Sequence, residues 1–256
     1  MYKERDKFSD KKDKNTCVFG IRAVIEAVNA GKELEKVYVQ KGLQGELFFE
    51  LQKVLKNAGL NYQPVPGEKI NKIAGYRNHQ GVVAILSTIT YSDIEKVLPG
   101  VFEEGKVPLV LVLDRITDVR NFGAIARTCE CSGVDAIIIP SRGGAQINSD
   151  AIKTSAGALH KVPVCRSDNL KTTLDYLHGS GLQIVACSEQ TEKMYYDIDL
   201  KLPTALIFGS EEDGISGEYL KRADETIAIP MMGTIASLNV SVAAGIILYE
   251  TIRQRK

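Results

Sequence analysis

From Pro108 onward one pattern repeats: a short run of Val, Ile and Leu without polar interruption, then a segment whose apolar residues fall at helical spacing. The runs are PLVLVLD (108–114), AIIIP (136–140), KVPVCR (161–166), QIVACS (183–188), TALIFGS (204–210) and IAIP (227–230). Helices are expected over NFGAIARTCECSG (121–133), SDAIKTSAGALH (149–160), LKTTLDYLHGSG (170–181) and, at the end, Leu238 to Arg253. Strands that are apolar on both sides and alternate with helices build a parallel sheet covered on both faces. The fold class is therefore α/β, and ligands of such sheets bind beyond the carboxyl ends of the strands.

The preceding part reads as a smaller α/β unit. GIRAVIEAVNAG (20–31), ELFFELQKVLKNAG (46–59) and EKINKIAG (68–75) have helical spacing and close on glycine. LEKVYVQ (34–40), NYQPV (61–65) and GVVAILST (81–88) read as strands. Between the last helix and strand lies a polar loop, GYRNHQG (75–81), carrying Tyr76, Arg77, Asn78, His79 and Gln80. The expected division is a flexible charged tail over 1–15, a small domain over 16–88, a linker over 89–106 with one short helix (91–98), and a larger domain over 107–256. The tail could equally keep the protein soluble or touch a charged partner.

Several function classes drop out. No apolar run approaches the ~20 residues of a membrane span. MYKERDKFSDKKDKN lacks the apolar stretch of a secretory signal, so a cytoplasmic location is expected. The 5 cysteines include no C-x-x-C pair and no histidine at zinc spacing, so buried or idle thiols and no metal are expected. With 32 basic and 32 acidic residues the chain lacks the basic surplus of many nucleic-acid binders, although a local basic patch suffices to hold phosphates.

Three segments carry chemistry. In LDRITDVRNFGAIARTCECSG a strand meets a helix near Asn121. Asn121 could simply cap that helix, and Gly123 could simply allow close packing. Arg127, among small and apolar neighbours, is harder to explain structurally. Its planar fork suits a phosphate, the alternative being an ion pair with one of the many acids. In ALIFGSEEDGISG, Gly209 and Gly214 have the spacing of a P-loop, but Ile215 replaces the lysine, and Glu211, Glu212 and Asp213 repel phosphate. An acidic loop suits a cationic or hydroxyl-bearing ligand instead, or is merely an exposed turn. A dinucleotide G-x-G-x-x-G is absent, which disfavours a dehydrogenase. In IAIPMMGTIASLNVSVAAG a strand leads through Met231, Met232 and Gly233 to a helix that Ser237 could cap. Backbone groups there could read an adenine edge.

Taken together, Asn121/Gly123/Arg127, Gly209/Glu211/Gly214 and Ser237/Leu238/Asn239/Val240 closely resemble, in order and spacing, the motifs of the SpoU (TrmH/RlmB-like) branch of the SPOUT RNA 2′-O-ribose methyltransferases. That likeness covers Pro108 to the end. CVFGIRAVIEAV, the KVYV strand and RNHQGVVA resemble the ribosomal-protein-like substrate-binding domain of the RlmB-type enzymes, which methylate a guanosine ribose of 23S rRNA. The resemblance implies a C-terminal α/β-knot with a deep trefoil knot, an exception to the rule against threading. It further implies S-adenosylmethionine as cofactor and a homodimer completing the site. By matching, Gly209, Ile229 and Leu238 would line the cofactor site, with Met231 beside them. Asn121, Arg127, Glu211, Ser237 and Asn239 would form the catalytic cluster. Tyr76, Arg77, Asn78 and His79 are expected to touch RNA, Tyr76 by stacking. Arg127 is assigned phosphate binding and charge stabilisation rather than proton removal, because a guanidinium holds its proton. Methylation of large-subunit rRNA is the expectation. A tRNA ribose substrate and a non-catalytic or resistance-type rRNA-binding relative are the alternatives.

Overall fold

The computed structural model describes residues 17–145 and 147–256, so the expected tail lies outside the described residues. The chain divides between Thr88 and Ile89 into two compact units.

The first unit runs β1 (Cys17–Phe19), α1 (Ile21–Asn29), β2 (Leu34–Gln40), α2 (Glu46–Asn57), β3 (Tyr62–Val65), α3 (Gly67–Ala74), β4 (Val82–Leu86). The sheet order is β1-β4-β2-β3, with β4 antiparallel to both neighbours and β3 parallel to β2. Val24 of α1 and Leu51 and Leu55 of α2 pack on Val37, Val82 and Ala84, and Ile70 of α3 covers the other face at Tyr38 and Val83. Pro64 is tolerated because β3 is an edge strand. The short strand β1 was not expected, since three residues are too few to display alternation, and pairing with β4 makes it a strand.

The second unit continues with α4 (Ile94–Glu103), β5 (Leu109–Leu113), α5 (Val119–Ser132), β6 (Ala136–Pro140), α6 (Ser149–Thr154), a 3-10 turn (Ala158–His160), β7 (Val164–Ser167), α7 (Leu170–Gly179), β8 (Gln183–Cys187), β9 (Thr204–Phe208), α8 (Gly217–Leu220), β10 (Glu225–Ile227) and α9 (Val240–Arg255). The strand order is β10-β8-β9-β5-β6-β7, and every pairing is parallel. Alternation along β5 explains the apolar run. Leu109, Leu111 and Leu113 face a core with Phe122 and Ile125 of α5 and Ile247 and Leu248 of α9, whereas Val110 and Val112 face Leu98, Leu174 and Leu177.

Four elements differ from expectation. The helix expected over 91–98 begins after Asp93, whose carboxylate accepts from Glu95 N–H, and continues through Pro99 to Glu103. Glu95 and Pro99 are exposed, so the carbonyl that Pro99 leaves unbonded faces solvent. Ile89 and Leu98, in the stretch read as a linker, are buried in the second unit's cores. The helix expected over 149–160 breaks, because Ala156 and Gly157 take left-handed backbone conformations (φ 51° and 85°). The last strand lies at 225–227, and the last helix starts at Val240.

Candidate active site

Loops leaving β8, β9 and β10 converge with the start of α9 at the carboxyl edge of the sheet and enclose a cavity of about 440 Å³, within the range of small-molecule sites. Its walls include Gly209, Glu211, Ile229, Met231, Ser237, Leu238 and Asn239, so both the residues expected around a cofactor and most of the expected catalytic cluster meet here. Gly209 shapes the wall. A Cβ there would lie 2.1 Å from the carbonyl carbon of Gly214. Ser210 and Gly214 exchange backbone hydrogen bonds (3.1 and 2.9 Å), closing the acidic loop into a tight turn with Gly214 at φ +65°.

A chain of polar side chains borders this cavity. The Asn121 amide donates to Glu211 Oε1, and Asn239 Nδ2 donates to Asn121 Oδ1 at 3.1 Å. Asn239 Oδ1 in turn accepts from the backbone N–H and hydroxyl of Ser241 (3.0 and 2.6 Å). Asn121 does not cap α5. Asp118 does, accepting from the N–H groups of Arg120 and Asn121 (2.7 and 2.9 Å), which leaves the Asn121 side chain for the site. Likewise Asn239, not Ser237, caps α9. Gly123 does serve close packing, since a Cβ would meet Thr154 Cβ at 2.7 Å.

Arg127 stands apart. It lies on the exposed side of α5, does not line the cavity, and has no ion-pair or hydrogen-bond partner among the described residues. The structural alternative for this arginine, an ion pair with a nearby acid, is therefore not what occupies it among those residues. Met232 points away at 97% exposure, while Met231 faces the cavity.

In the first unit the 75–81 loop places Tyr76 and Arg77 at the surface, with Tyr76 at 79% exposure. The Arg77 guanidinium stacks 5.3 Å from the Phe19 ring centre. Asn78 is exposed. His79 is tied into the loop: Nδ1 accepts from Gly81 N–H (3.0 Å), so Nε2 is left to donate to Asn71 Oδ1 (2.7 Å).

Residues 108–249 match the SpoU rRNA Methylase family. The chain belongs to that family. Residues 17–92 match the RNA 2′-O ribose methyltransferase substrate-binding family. A relative from Staphylococcus aureus (strain MSSA476), assigned to the TrmH family of tRNA/rRNA methyltransferases, is 34% identical over 94% of this chain and 97% of its own. The AdoMet-bound rRNA methyltransferase from Sinorhizobium meliloti superposes with a TM-score of 0.60 at 25% identity, covering 93% of this chain and 87% of that one. The A. aeolicus TrmH/SpoU tRNA modifying enzyme gives 0.54 at 37% identity, over 63% of this chain and 84% of that one. The SpoU chain is thus an RNA methyltransferase of the SPOUT α/β-knot class with a substrate-binding domain before it.

Sequence reading missed the residues that hold the acidic loop of this SpoU chain. Asp114, at 2% exposure, accepts from both the N–H and the hydroxyl of Ser216 at 2.7 Å each, and Arg115 reaches across to Asp213 and Gly214. The only available signal was a carboxylate ending an apolar strand. Burial pushes the Cys129 and Cys187 thiols up, and that of Cys165 to about 12, whereas Cys131 is exposed. Among the described residues no group of His, Cys, Asp and Glu could hold a metal ion, and no helix is long and apolar enough to cross a membrane.

Proposed function

We propose that the chain transfers a methyl group from S-adenosylmethionine to the 2′-hydroxyl of a ribose, that of a guanosine in 23S rRNA. The observation that carries this reading is the Glu211–Asn121–Asn239 chain on the rim of a cavity of suitable size. The cavity's chemistry fits that cofactor. Glu189, Glu211, Glu212 and Asp213 give it an acidic side for a sulfonium and an ammonium, and Ile229, Leu238 and Ile247 give it apolar walls for an adenine.

When bound, the cofactor supplies an electrophilic methyl. The protein's part is to place the ribose in line with it, about 3 Å away. Glu211 Oε1 is occupied by Asn121, whereas Oε2 has no partner among the described residues and is available to orient the hydroxyl. Asn121 holds that carboxylate, and Asn239 holds Asn121. Ser237 and the Met231 backbone complete the wall. Arg127, exposed and unpaired, grips the phosphate beside the reacting ribose and stabilises the negative charge that develops on its 2′-oxygen.

Because Arg127 is exposed and does not line its own cavity, we read the working unit as a homodimer. Val242 and Tyr249, 49% and 54% exposed, form an apolar stripe with Ile246 along α9, which packs on α5. Tyr76 and Arg77, with Asn78 beside them, give the first unit its RNA contact, while His79 shapes the loop. An rRNA target is favoured over tRNA because the rRNA methyltransferase neighbour spans both units, whereas the tRNA modifying enzyme covers 63% of the chain. A cytoplasmic location goes with that substrate. The test is to incubate the protein with radiolabelled S-adenosylmethionine and total RNA from a strain lacking the gene, then map the label. Methylation of a 23S guanosine ribose is expected. Label confined to tRNA would overturn the substrate, and no label in any RNA would overturn the activity.

A further inference from the structure

We propose that Arg115 is a positioning residue for the cofactor cavity, clamping the acidic loop between β9 and α8 onto the end of β5. The proposal rests on the cofactor reading of that cavity. Arg115 does not line the cavity, so its action passes through the loop.

The loop has a reason to need a clamp. Residues 209–215 form one wall of the cavity and carry Glu211, Glu212 and Asp213 in succession. Folding three carboxylates into a turn this tight brings like charges together. Arg115 offsets this with its whole fork. Nη1 donates to Asp213 Oδ2 at 3.0 Å, and Nη2 donates to the Gly214 carbonyl at 3.2 Å. Nε and Nη2 also donate to the two carboxylate oxygens of Asp114, at 3.1 and 3.3 Å. The same Asp114 holds Ser216 by two bonds, so the far end of the loop is pinned to β5 through two adjacent residues. A lysine could make one such contact but not all of them at once.

The backbone supports the assignment. Arg115 has φ +56°, a left-handed conformation that side chains other than Gly, Asn and Asp seldom adopt. A glycine would sit there without strain, so an arginine held in this conformation points to its guanidinium as the reason. Glu211, in the middle of the clamped loop, then meets Asn121 on α5. The loop is thereby fixed at two points, by Arg115 at its end and by Asn121 at its centre.

The experiment uses the full chain and S-adenosylhomocysteine as probe. Arg115→Gly removes the fork and relieves the backbone, which separates the clamp from strain. We expect S-adenosylhomocysteine to bind at least tenfold more weakly by calorimetry. In the free protein, the Gly214 and Ser216 amides should exchange hydrogen at least tenfold faster. KM for the cofactor should rise while KM for RNA stays within twofold, a split that a general loss of folding would not produce. Arg115→Lys should restore part of the affinity. Asp213→Asn, an exposed change that leaves β5 untouched, should weaken binding about threefold and keeps the idea testable if Arg115→Gly does not fold. Unchanged affinity and unchanged amide exchange in these variants would overturn the clamp while leaving the methyltransferase reading intact. A parent protein that fails to bind S-adenosylhomocysteine would overturn both.

Discussion

Two clusters of polar side chains, at the carboxyl edge of the parallel sheet and in the 75–81 loop, are assembled in opposite ways. At the carboxyl edge of the parallel sheet the bonds reach across the chain: Asn121 to Glu211 spans 90 positions, Asp114 to Ser216 spans 102 and Asn239 to Asn121 spans 118. In the 75–81 loop His79 bonds to residues 8 and 2 positions away. The first cluster exists only if the whole sheet has formed. The second needs one helix end and one strand start. A site built on long-range bonds inherits the rigidity of the core beneath it, which suits alignment of reacting atoms. A loop pinned locally leaves its exposed tip free to adapt, which suits recognition of splayed bases.

The contrast predicts a graded series of effects. Gly209→Ala should be the most damaging, because its Cβ would collide with Gly214 backbone rather than with a yielding side chain. A loss of about 3 kcal/mol in stability is expected from such overpacking, together with loss of S-adenosylhomocysteine binding, measured by thermal melting and calorimetry. Retained binding would mean that the loop does not need its tight turn. Arg127→Ala should lower kcat by roughly 10²–10³ through lost charge stabilisation, with cofactor affinity unchanged because the side chain lies outside the cavity. Normal turnover on intact rRNA would remove Arg127 from the mechanism.

On the other side of the comparison, replacing Tyr76 and Arg77 together by alanine should raise KM for RNA about tenfold, in keeping with the loss of one stacking contact. Stability and cofactor binding should not move, and an unchanged RNA affinity would end the loop's assignment. His79→Ala should have the smallest effect, about 1 kcal/mol of stability from the loss of its hydrogen bonds, read by chemical denaturation. If this variant weakened RNA binding as much as the double substitution while the loop stayed folded, His79 would be a contact rather than a pin.

Legibility in the sequence followed the same division. Apolar runs such as LVLVL and TALIF announced buried strands because both faces of the sheet are covered, and helix-ending glycines such as Gly75 and Gly133 were readable from local chemistry. What failed was decided by neighbours far away. Pro99 looked like a helix end, yet the helix continues because its proline faces solvent. Residues 149–160 looked like one helix, but the chain turns left-handed at Ala156 and Gly157 where α6 presses against Gly123. The side chains proposed for the site were named from motifs in register, but their partners were not, and Arg115 carried no pattern at all.

The sequence by itself determined the α/β class, the order of the elements in the sheet-forming half and the residue types available at the carboxyl edge, because burial periodicity and turn chemistry are local properties. Only the tertiary structure decided that Asp118 and Asn239 take the capping duties, that Asn121 is thereby released to meet Glu211, and that Arg115 spans to the acidic loop. Those choices depend on which strand ends become neighbours. In a sheet ordered β10-β8-β9-β5-β6-β7, the ends of β5 and β9 lie side by side although 95 positions separate Leu113 from Phe208.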